Sequence, residues 1–256
     1  MSVRRRLMIA ILAASPMATP AFGQDLTVLM GDLPPHTNHD GTGREVEVIA
    51  RVAKECGWTT AFQVEPFGRH WRSFEEGAAD AVGTVPVGMD LGGSATDPYI
   101  TYMNGVTLLD STGVAPTSLA DLEGLSVVTF ANAANIIPGL AEAKDSFAAY
   151  REVADQITHS RLLFTGRVDV VLGEGMIVAE YNDRLGQEDT RIDTAQPATF
   201  SPIFAPTPYT LVFRDPALAD AFDTCREAVA DDIAAINATY IDRYRDVIGT
   251  AYDGNN

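Results

Sequence analysis

The first half of the chain alternates short apolar runs with segments whose apolar residues recur at helical spacing. The segment Glu45–Cys56 carries Val46, Ile49, Ala53 and Cys56 at intervals of three, four and three residues, which places all four on one helical face. The other predicted elements here are a second helix with the stripe Phe67, Trp71 and Phe74, and the strands Leu26–Met30, Thr60–Val64 and Ala79–Val85. This alternation predicts an α/β protein with a mainly parallel sheet and helices on its faces.

The second half repeats the alternation. We expect strands at Leu125–Phe130, Val168–Leu172 and Tyr209–Arg214, and helices near Ile137–Tyr150, near Asp155–Phe164, from Pro216 onward and in the stretch to Ile248. One echo links the halves: Gly77-Ala-Ala-Asp80-Ala-Val82 and Gly166-Arg-Val-Asp169-Val-Val171 share the pattern G-x-x-D-x-V, each between a helix and a strand. Coincidence between two ordinary turns is the alternative, but the echo favours two similar α/β lobes.

The N-terminus carries a targeting pattern. Residues 4–6 are arginines, the apolar run Leu7–Ala14 follows, and Ala21 and Gly23 stand at the −3 and −1 positions of a cleavage site before Gln24. This order predicts a secretory signal peptide over residues 1–24 and a periplasmic location, the alternative being a frayed N-terminal helix. No cysteine follows the cleavage site, so we expect no lipid anchor.

Charge and hydropathy exclude two classes of partner. The formal net charge is −17 at pH 7. Such a chain repels a phosphate backbone, so nucleic acid is not an expected partner. No segment after the leader is apolar over a length that would cross a membrane.

The chain has two cysteines, Cys56 and Cys225. Both fall on predicted helices, and an exported protein meets an oxidising compartment in which they would be able to pair. The alternative is a pair of buried small apolar side chains, and the sequence leaves both open.

Several short motifs, each weak alone, stand in an order that matches one known family. They are Asp32-Leu-Pro-Pro35, Gly43-Arg-Glu45-Val-Glu47, Pro66-Phe-Gly-Arg69, Gly77-Ala-Ala-Asp80-Ala-Val82, Asp97-Pro98-Tyr99, Ser118-Leu-Ala-Asp-Leu-Glu-Gly124 and Gly166-Arg-Val-Asp169. Together they run over almost the whole mature chain. In this order they resemble the extracellular solute-binding protein family 3, the polar amino-acid-binding type of ABC transporters.

The resemblance implies a two-lobed α/β fold of the periplasmic-binding-protein type II class, with two hinge crossings between the lobes. Lobe 1 would be discontinuous, with residues 25–107 and 210–256, and lobe 2 would hold residues 108–209. Proteins of this family close over a small polar solute in the interlobe cleft, and the membrane permease of an ABC transporter then recognises the closed form. The implied partners are therefore that solute and a permease, and we expect a monomer without a cofactor.

The family's cleft usually recognises a zwitterion, and this sequence departs from that pattern at two positions. Met89 stands where an arginine would take the ligand carboxylate, and Asn132 opens the segment that is usually G-T-S. Thr84 and backbone donors remain near the first position. Glu174, in place of the usual aspartate, remains as the acid for a ligand amine. The resemblance with these changes favours a cationic, neutral polar or non-standard amino-acid-like ligand.

Three further side chains complete the predicted ligand site. Arg69 would replace the missing arginine, His36 follows Pro-Pro where an aromatic residue is usual, and Asp32 shares its loop. The alternatives are a surface ion pair for Arg69, a loop residue for His36, and a helix N-cap or surface acid for Glu174. Tyr99 is a candidate similar to Asp32 and His36. The predicted ligand-binding set is Asp32, His36, Arg69, Thr84, Met89, Asn132 and Glu174.

Two other functions stay open. A dehydratase-type enzyme on the same scaffold would use Glu174 as a general acid, but Met89 in place of the arginine argues against a dicarboxylate substrate. An accessory or sensory periplasmic protein would bind a protein partner in place of the lost ligand. The chain contains no G-x-S-x-G, H-E-x-x-H, phosphate-loop or C-x-x-C motif, so we expect no catalysis. A zinc site on His36, His39 and Asp40 is disfavoured because no third His or Cys motif follows.

Overall fold

A computed structural model describes residues 23–254, so residues 1–22 of the predicted signal peptide lie outside the described residues. Within these residues the first lobe is built on a sheet with strands β1 (Asp25–Gly31), β2 (Thr59–Glu65), β3 (Ala81–Pro86), β4 (Ser94–Ala95), β5 (Ile100–Tyr102) and β11 (Thr207–Phe213). The order is β2-β1-β3-β11-β4, with β5 paired to β11. Strands β1, β2 and β3 are parallel, and β11 is antiparallel to β3.

The helices of the first lobe are α1 (Arg44–Glu55), α2 (Arg69–Glu75), α7 (Pro216–Ala228) and α8 (Ala230–Arg243). Helix α1 buries Val48, Ile49 and Val52 against the core of this lobe. It begins after Gly43, whose φ is 127°. A side chain at Gly43 would meet the carbonyl oxygens of Pro35 and His36 at 2.6 and 2.5 Å, so only glycine lets that loop lie against the start of α1.

The second lobe has its own sheet. Its strands are β6 (Asn104–Leu109), β7 (Ser126–Thr129), β8 (Ala149–Glu152), β9 (Val170–Glu174) and β10 (Ala198–Ser201), in the order β10-β6-β9-β7-β8. Strands β8, β7 and β9 are parallel, whereas β6 is antiparallel to both β9 and β10. The remaining helices are α3 (Ala133–Ile136), α4 (Leu140–Ala143), α5 (Ile157–Phe164), α6 (Gly175–Glu188) and α9 (Arg245–Ile248).

The chain passes between the sheets twice. It leaves the first sheet at Tyr102 and enters the second at Asn104, a few residues before the boundary predicted at 107. It leaves the second sheet at Ser201 and returns to the first at Thr207, close to the predicted boundary at 210. These two crossings are the short connections that a hinge requires.

The repeated G-x-x-D-x-V motif makes the same contacts in each lobe. Asp80 accepts a hydrogen bond from the Thr27 backbone N–H at 2.8 Å, and its own N–H donates to the Thr27 carbonyl at 3.0 Å. Asp169 forms the same pair with Ser126, also at 2.8 and 3.0 Å. In each lobe the aspartate thus fixes a helix-to-strand turn to the first strand of that lobe's parallel core. The sequence echo therefore reflects a shared structural role.

Two local predictions were wrong. Residues 137–150 do not form one helix, because Pro138 and Gly139 separate α3 from α4, and the stretch ends in the edge strand β8. Phe67 lies before α2, since Gly68 adopts a left-handed conformation and the helix starts at Arg69. Helix α6 was not predicted.

The lobes share apolar packing along α6 and the C-terminal segment. Ile177 belongs to the first lobe's hydrophobic core, and Tyr181 packs against that core. Ile248 and Tyr252 pack instead with Met176 of α6 and Phe200 of β10 in the second lobe. The C-terminal segment, predicted as part of lobe 1, therefore reaches the second lobe. None of the helices in residues 23–254 combines the length and hydropathy needed to traverse a bilayer.

A disulfide joins Cys56 at the end of α1 to Cys225 in α7. The Cα atoms are 5.6 Å apart, and the bond links positions 169 residues apart. Because this loop encloses the whole second lobe, the bond restricts the unfolded chain over most of its length.

Removal of this bond is expected to destabilise the protein. Cys56→Ala/Cys225→Ala lowers the free energy of unfolding by about 2–5 kcal/mol, measured by urea denaturation. A reductant lowers the stability of the wild type similarly and leaves the double variant unchanged. Equal stability of the oxidised wild type and the double variant would contradict this prediction.

His70, in α2, is fully buried. The Gly68 backbone N–H donates to its Nδ1 at 3.2 Å, and the rings of Phe67 and Trp71 lie beside it. Burial lowers the pKa of His70 to about 4, against an ordinary value of 6.5.

His70 consequently makes stability depend on pH. Between pH 6.5 and 4 the unfolded chain binds a proton at His70 that the folded chain does not, so stability falls as the pH falls through this window, by up to about 3 kcal/mol. Above pH 6.5 the contribution is constant. Denaturation midpoints at pH 7 and pH 5 should therefore differ less in His70→Gln than in wild type, and His39→Gln, an exposed control, should keep the wild-type difference.

Candidate functional site

Glu174 lies where β9 ends and α6 begins, at the junction of the lobes. Its side chain caps α6, because Oε2 accepts the Ile177 backbone N–H at 2.8 Å. Oε1 accepts the Tyr252 hydroxyl and lies 3.5 Å from the Met103 backbone N–H. The residue is only 5% exposed. The helix N-cap considered above is therefore present, but on a buried carboxylate that contacts residues from three parts of the chain.

His36 approaches this carboxylate from the first lobe. Its Nε2 lies 3.1 Å from Glu174 Oε2, and its ring stacks on Tyr102 with centroids 4.0 Å apart and planes at 22°. The ring is fully buried, and its Nδ1 has no hydrogen-bond partner among the described residues. The Glu174 carboxylate at Nε2 and the face of Tyr102 hold the imidazole in place.

The surroundings keep Glu174 ionised. Burial acts to raise the pKa of this carboxyl, but the His36 imidazole, through its electrostatic interaction and its hydrogen bond, and the donors from Tyr252 and Ile177 outweigh it, so the net pKa is lowered. A buried anion at the lobe junction demands a nearby positive group.

A second buried carboxylate, Glu45 of α1, organises the first-lobe side. It accepts the backbone N–H of Thr84 at 3.0 Å and the Thr84 hydroxyl at 2.9 Å. The hydroxyls of Tyr102, at 2.8 Å, and Tyr99 also donate to it. Thr84 has a φ of 54°, rare for a β-branched residue, and its contacts with Glu45 hold it there. The Thr84 donors predicted for a ligand thus face a carboxylate of the protein itself.

Arg44 supplies the positive charge between the two acids. It is fully buried, with Nε 2.9 Å from Asn237 Oδ1 and Nη1 3.3 Å from the Thr101 carbonyl. Burial lowers the pKa of its guanidinium, while Glu174 and Glu45 act in the opposite direction. Arg44 is thus committed to internal acceptors.

The other predicted ligand residues lie apart from this buried group. Arg69 is exposed, 3.7 Å from Glu65. Met89 is 39% exposed in the loop after β3, and Asn132 is exposed before α3, with its N–H donating to Glu152 at 2.7 Å. Their roles in ligand binding stay predictions.

Asp32 and His39 lie in the same loop after β1 as His36. Partial burial raises the pKa of Asp32, although the charges of His39 and Arg184 act to lower it. The exposed His39 ring lies 3.8 Å from Asp32, so His36 and His39 face different carboxylates. Within residues 23–254 no three His, Cys, Asp or Glu side chains cluster as metal ligands would.

Further polar contacts join the lobes. Arg184 of α6 donates to Asn38 Oδ1, in the His36 loop, at 3.0 Å. The same arginine donates to Glu180 at 2.7 Å, and Glu180 also accepts from Arg243 and Tyr244 at the C-terminus.

Of the predicted ligand residues, Glu174, His36 and Thr84 lie in this buried group, and four residues that connect them were not predicted as site residues: Arg44, Glu45, Tyr102 and Tyr252. Arg44 and Glu45 appeared only within the motif Gly43-Arg-Glu45-Val-Glu47. Their adjacent charges, at the start of an otherwise apolar helix face, are the sequence signal that singles out these two. Tyr252 lies far along the chain and carries no local signal.

Comparison with known proteins bears on the fold. No protein-family model matches the chain, and no curated protein matches it by sequence. Among solved structures, a probable amino-acid ABC transporter extracellular-binding protein, ytmK from Bacillus subtilis, aligns at 19% identity with a TM-score of 0.68, covering 86% of this chain and 98% of its own.

Two further structures align similarly. A histidine kinase sensor domain with similarity to periplasmic binding proteins gives 16% identity and a TM-score of 0.67, over 86% of this chain and 96% of its own. The GluR0 ligand-binding core in complex with L-glutamate gives 17% identity and a TM-score of 0.66, over 87% of this chain and 99% of its own. The predicted two-lobed periplasmic-binding-protein fold is confirmed, and at these identities the likeness extends to the fold alone.

Glu45 is expected to stabilise the first-lobe side of the junction. Glu45→Gln leaves Arg44 less compensated and turns an amide N–H₂ toward groups that donate, so the free energy of unfolding falls by about 2–4 kcal/mol. Glu47→Gln, an exposed position on the same helix, changes it by no more than about 0.5 kcal/mol. Urea denaturation of both variants checks this, and equal effects would contradict it.

Proposed function

We propose that this protein is a periplasmic solute-binding protein that holds a small polar, cationic ligand between its lobes and presents the closed form to an ABC-type permease. The observation that carries the proposal is the pairing of Glu174, at the end of β9, with a basic ring from the other lobe. A buried anion at this position is suited to a positive group that touches both lobes at once.

The charge balance of the junction supports a cation. The buried group contains two acids, Glu174 and Glu45, and one arginine, Arg44. The neighbouring tyrosines are neutral because burial raises their pKa well above 10. Two ionised carboxylates against one guanidinium leave a net negative charge, and a ligand with a single positive group would restore neutrality.

The same balance disfavours an ordinary α-carboxylate. The Thr84 donors are bound to Glu45, Arg44 is bound to Asn237 and Thr101, and position 89 is a methionine. A ligand carboxylate would therefore meet a negative site without a buried arginine free to receive it. This supports the amine end of the ligand as the recognised part.

The dehydratase alternative receives less support. A general acid must hold a proton at working pH, whereas the pKa of Glu174 is lowered by His36 and by its hydrogen-bond donors. Turnover of prephenate or arogenate by the purified protein would nevertheless establish it.

The accessory or sensory alternative is favoured by one observation. Both predicted anchors, Glu174 and Thr84, already have partners inside the protein, so joining the lobes requires no solute. If this alternative holds, no solute changes the thermal stability of the protein or its radius of gyration, and a protein partner binds to the closed form.

A thermal-shift screen of the mature chain tests the proposed function. The panel contains amino acids, polyamines, quaternary amines, sugars and small acids. A ligand at a hundredfold excess over its Kd raises the free energy of unfolding by about 2.7 kcal/mol. We expect responses among cationic solutes and not among anionic ones.

Glu174→Gln is the matched variant for the screen. It should abolish the response to a cationic solute, whereas Glu75→Gln, an exposed acid on α2, should keep it. An unchanged Kd in Glu174→Gln would show that Glu174 is not the anchor. A response only to anionic amino acids would overturn the ligand class.

A further inference from the structure

The His36 side chain occupies the lobe junction in a way that is unusual for a buried histidine. Buried polar groups nearly always have hydrogen-bond partners. Here the ring is fully buried, yet Nδ1 has no hydrogen-bond partner among the described residues, and the Glu174 carboxylate is the polar partner of Nε2. The ring is held by the Glu174 carboxylate at 3.1 Å and by the face of Tyr102. Such contacts suit an exchangeable planar cation as well as a fixed side chain.

On the first-lobe side of the junction, the Thr84 donors are likewise occupied by a side chain of the protein itself. The N–H and hydroxyl of Thr84, which converge on one point, receive the Glu45 carboxylate. An internal basic group therefore meets the second-lobe acid, and an internal acid meets the first-lobe donors. Both charged ends of a small zwitterion thus have counterparts among the protein's own side chains.

The segment that carries His36 is tied to the second lobe by few polar contacts. Its tip, His39–Asp40, is exposed. Beyond the His36–Glu174 pair, Asn38 accepts one hydrogen bond from Arg184. Separation of the lobes would therefore break the His36–Glu174 contact and one further hydrogen bond across the junction, while the stack of His36 on Tyr102 stays within the first lobe.

We propose that the cleft is self-liganded: His36 occupies the Glu174 site in the solute-free protein, holds the lobes closed, and must be displaced by any cation that binds there. This inference rests on the proposed function for the identity of the site and adds its regulation. Solute then competes with an internal group, so affinity for an external cation is reduced by the fraction of molecules in which His36 is seated.

Imidazole is the probe that tests this, with His36→Ala as the variant. Imidazole should raise the melting temperature of His36→Ala saturably, by about 5 °C near a hundredfold excess over its Kd. It should leave wild type and His39→Ala, an exposed histidine in the same loop, unchanged. Pyrazole, a neutral ring of similar size, should have a much smaller effect, and His36→Ala/Glu174→Gln should lose the response.

Small-angle X-ray scattering tests closure directly. Solute-free wild type should give the radius of gyration of the closed structure, His36→Ala a larger one, and imidazole should restore the compact value. An open wild type without solute would overturn the proposal, as would equal responses of His36→Ala and His39→Ala to imidazole. If His36→Ala does not fold, His36→Gln replaces it, and the wild-type scattering decides on its own.

The two proposals fail separately. A solute screen without any response would refute the proposed transport function and leave the imidazole measurements intact. A solute that binds wild type, together with a His36→Ala variant that ignores imidazole, would refute the self-liganded cleft alone.

Discussion

The arrangement of this protein depends on two carboxylates that are buried where its lobes meet. An ionised group removed from water is costly unless charges and hydrogen-bond donors surround it. Glu174 gains its partners from α6, from the C-terminal segment and from the loop after β1, and Glu45 gains them from β3 and from the residues around β5. The partners of Glu174 come from both lobes, so satisfying its charge helps to fix their relative position, whereas the partners of Glu45 order the first-lobe side of the junction.

Apolar packing reinforces the same junction. Helix α6 begins directly after Glu174, and its Ile177 is part of the first lobe's core although β9 belongs to the second lobe's sheet. The C-terminal segment connects the lobes in the other sense: it follows α8 of the first lobe, and its Tyr252 packs against the second lobe. The lobes are thus joined by two hinge crossings, one helix and one terminal segment, and any opening motion must take account of all of them.

Much of the fold followed from local pattern, because alternation of apolar runs with helical stripes is imposed by burial on one face. The strands β1, β2, β3, β7 and β9 lay where that pattern predicted them, within one or two residues. Helix α6 was not predicted because residues 175–180 are all buried and include the acid Glu180. Its first turns therefore show no alternation between an apolar and a polar face. The prediction of one helix over residues 137–150 was wrong because the apolar residues of this region belong to two short helices and an edge strand. The site was harder, since Arg44, Tyr102 and Tyr252 matter only through contacts with residues far along the chain.

The carboxylates that fill the junction have one physical explanation. A cluster of donors lies at Thr84, and unpaired buried donors are costly. Glu45 satisfies them from within. The guanidinium of Arg44 compensates these buried acids, and Glu174 takes the His36 imidazole as its partner from the other lobe. In the proposed function, solute binding then depends on one equilibrium, between the His36 imidazole and an external cation at Glu174. The strength of that competition, more than the presence of the acid itself, determines what the fold is able to bind.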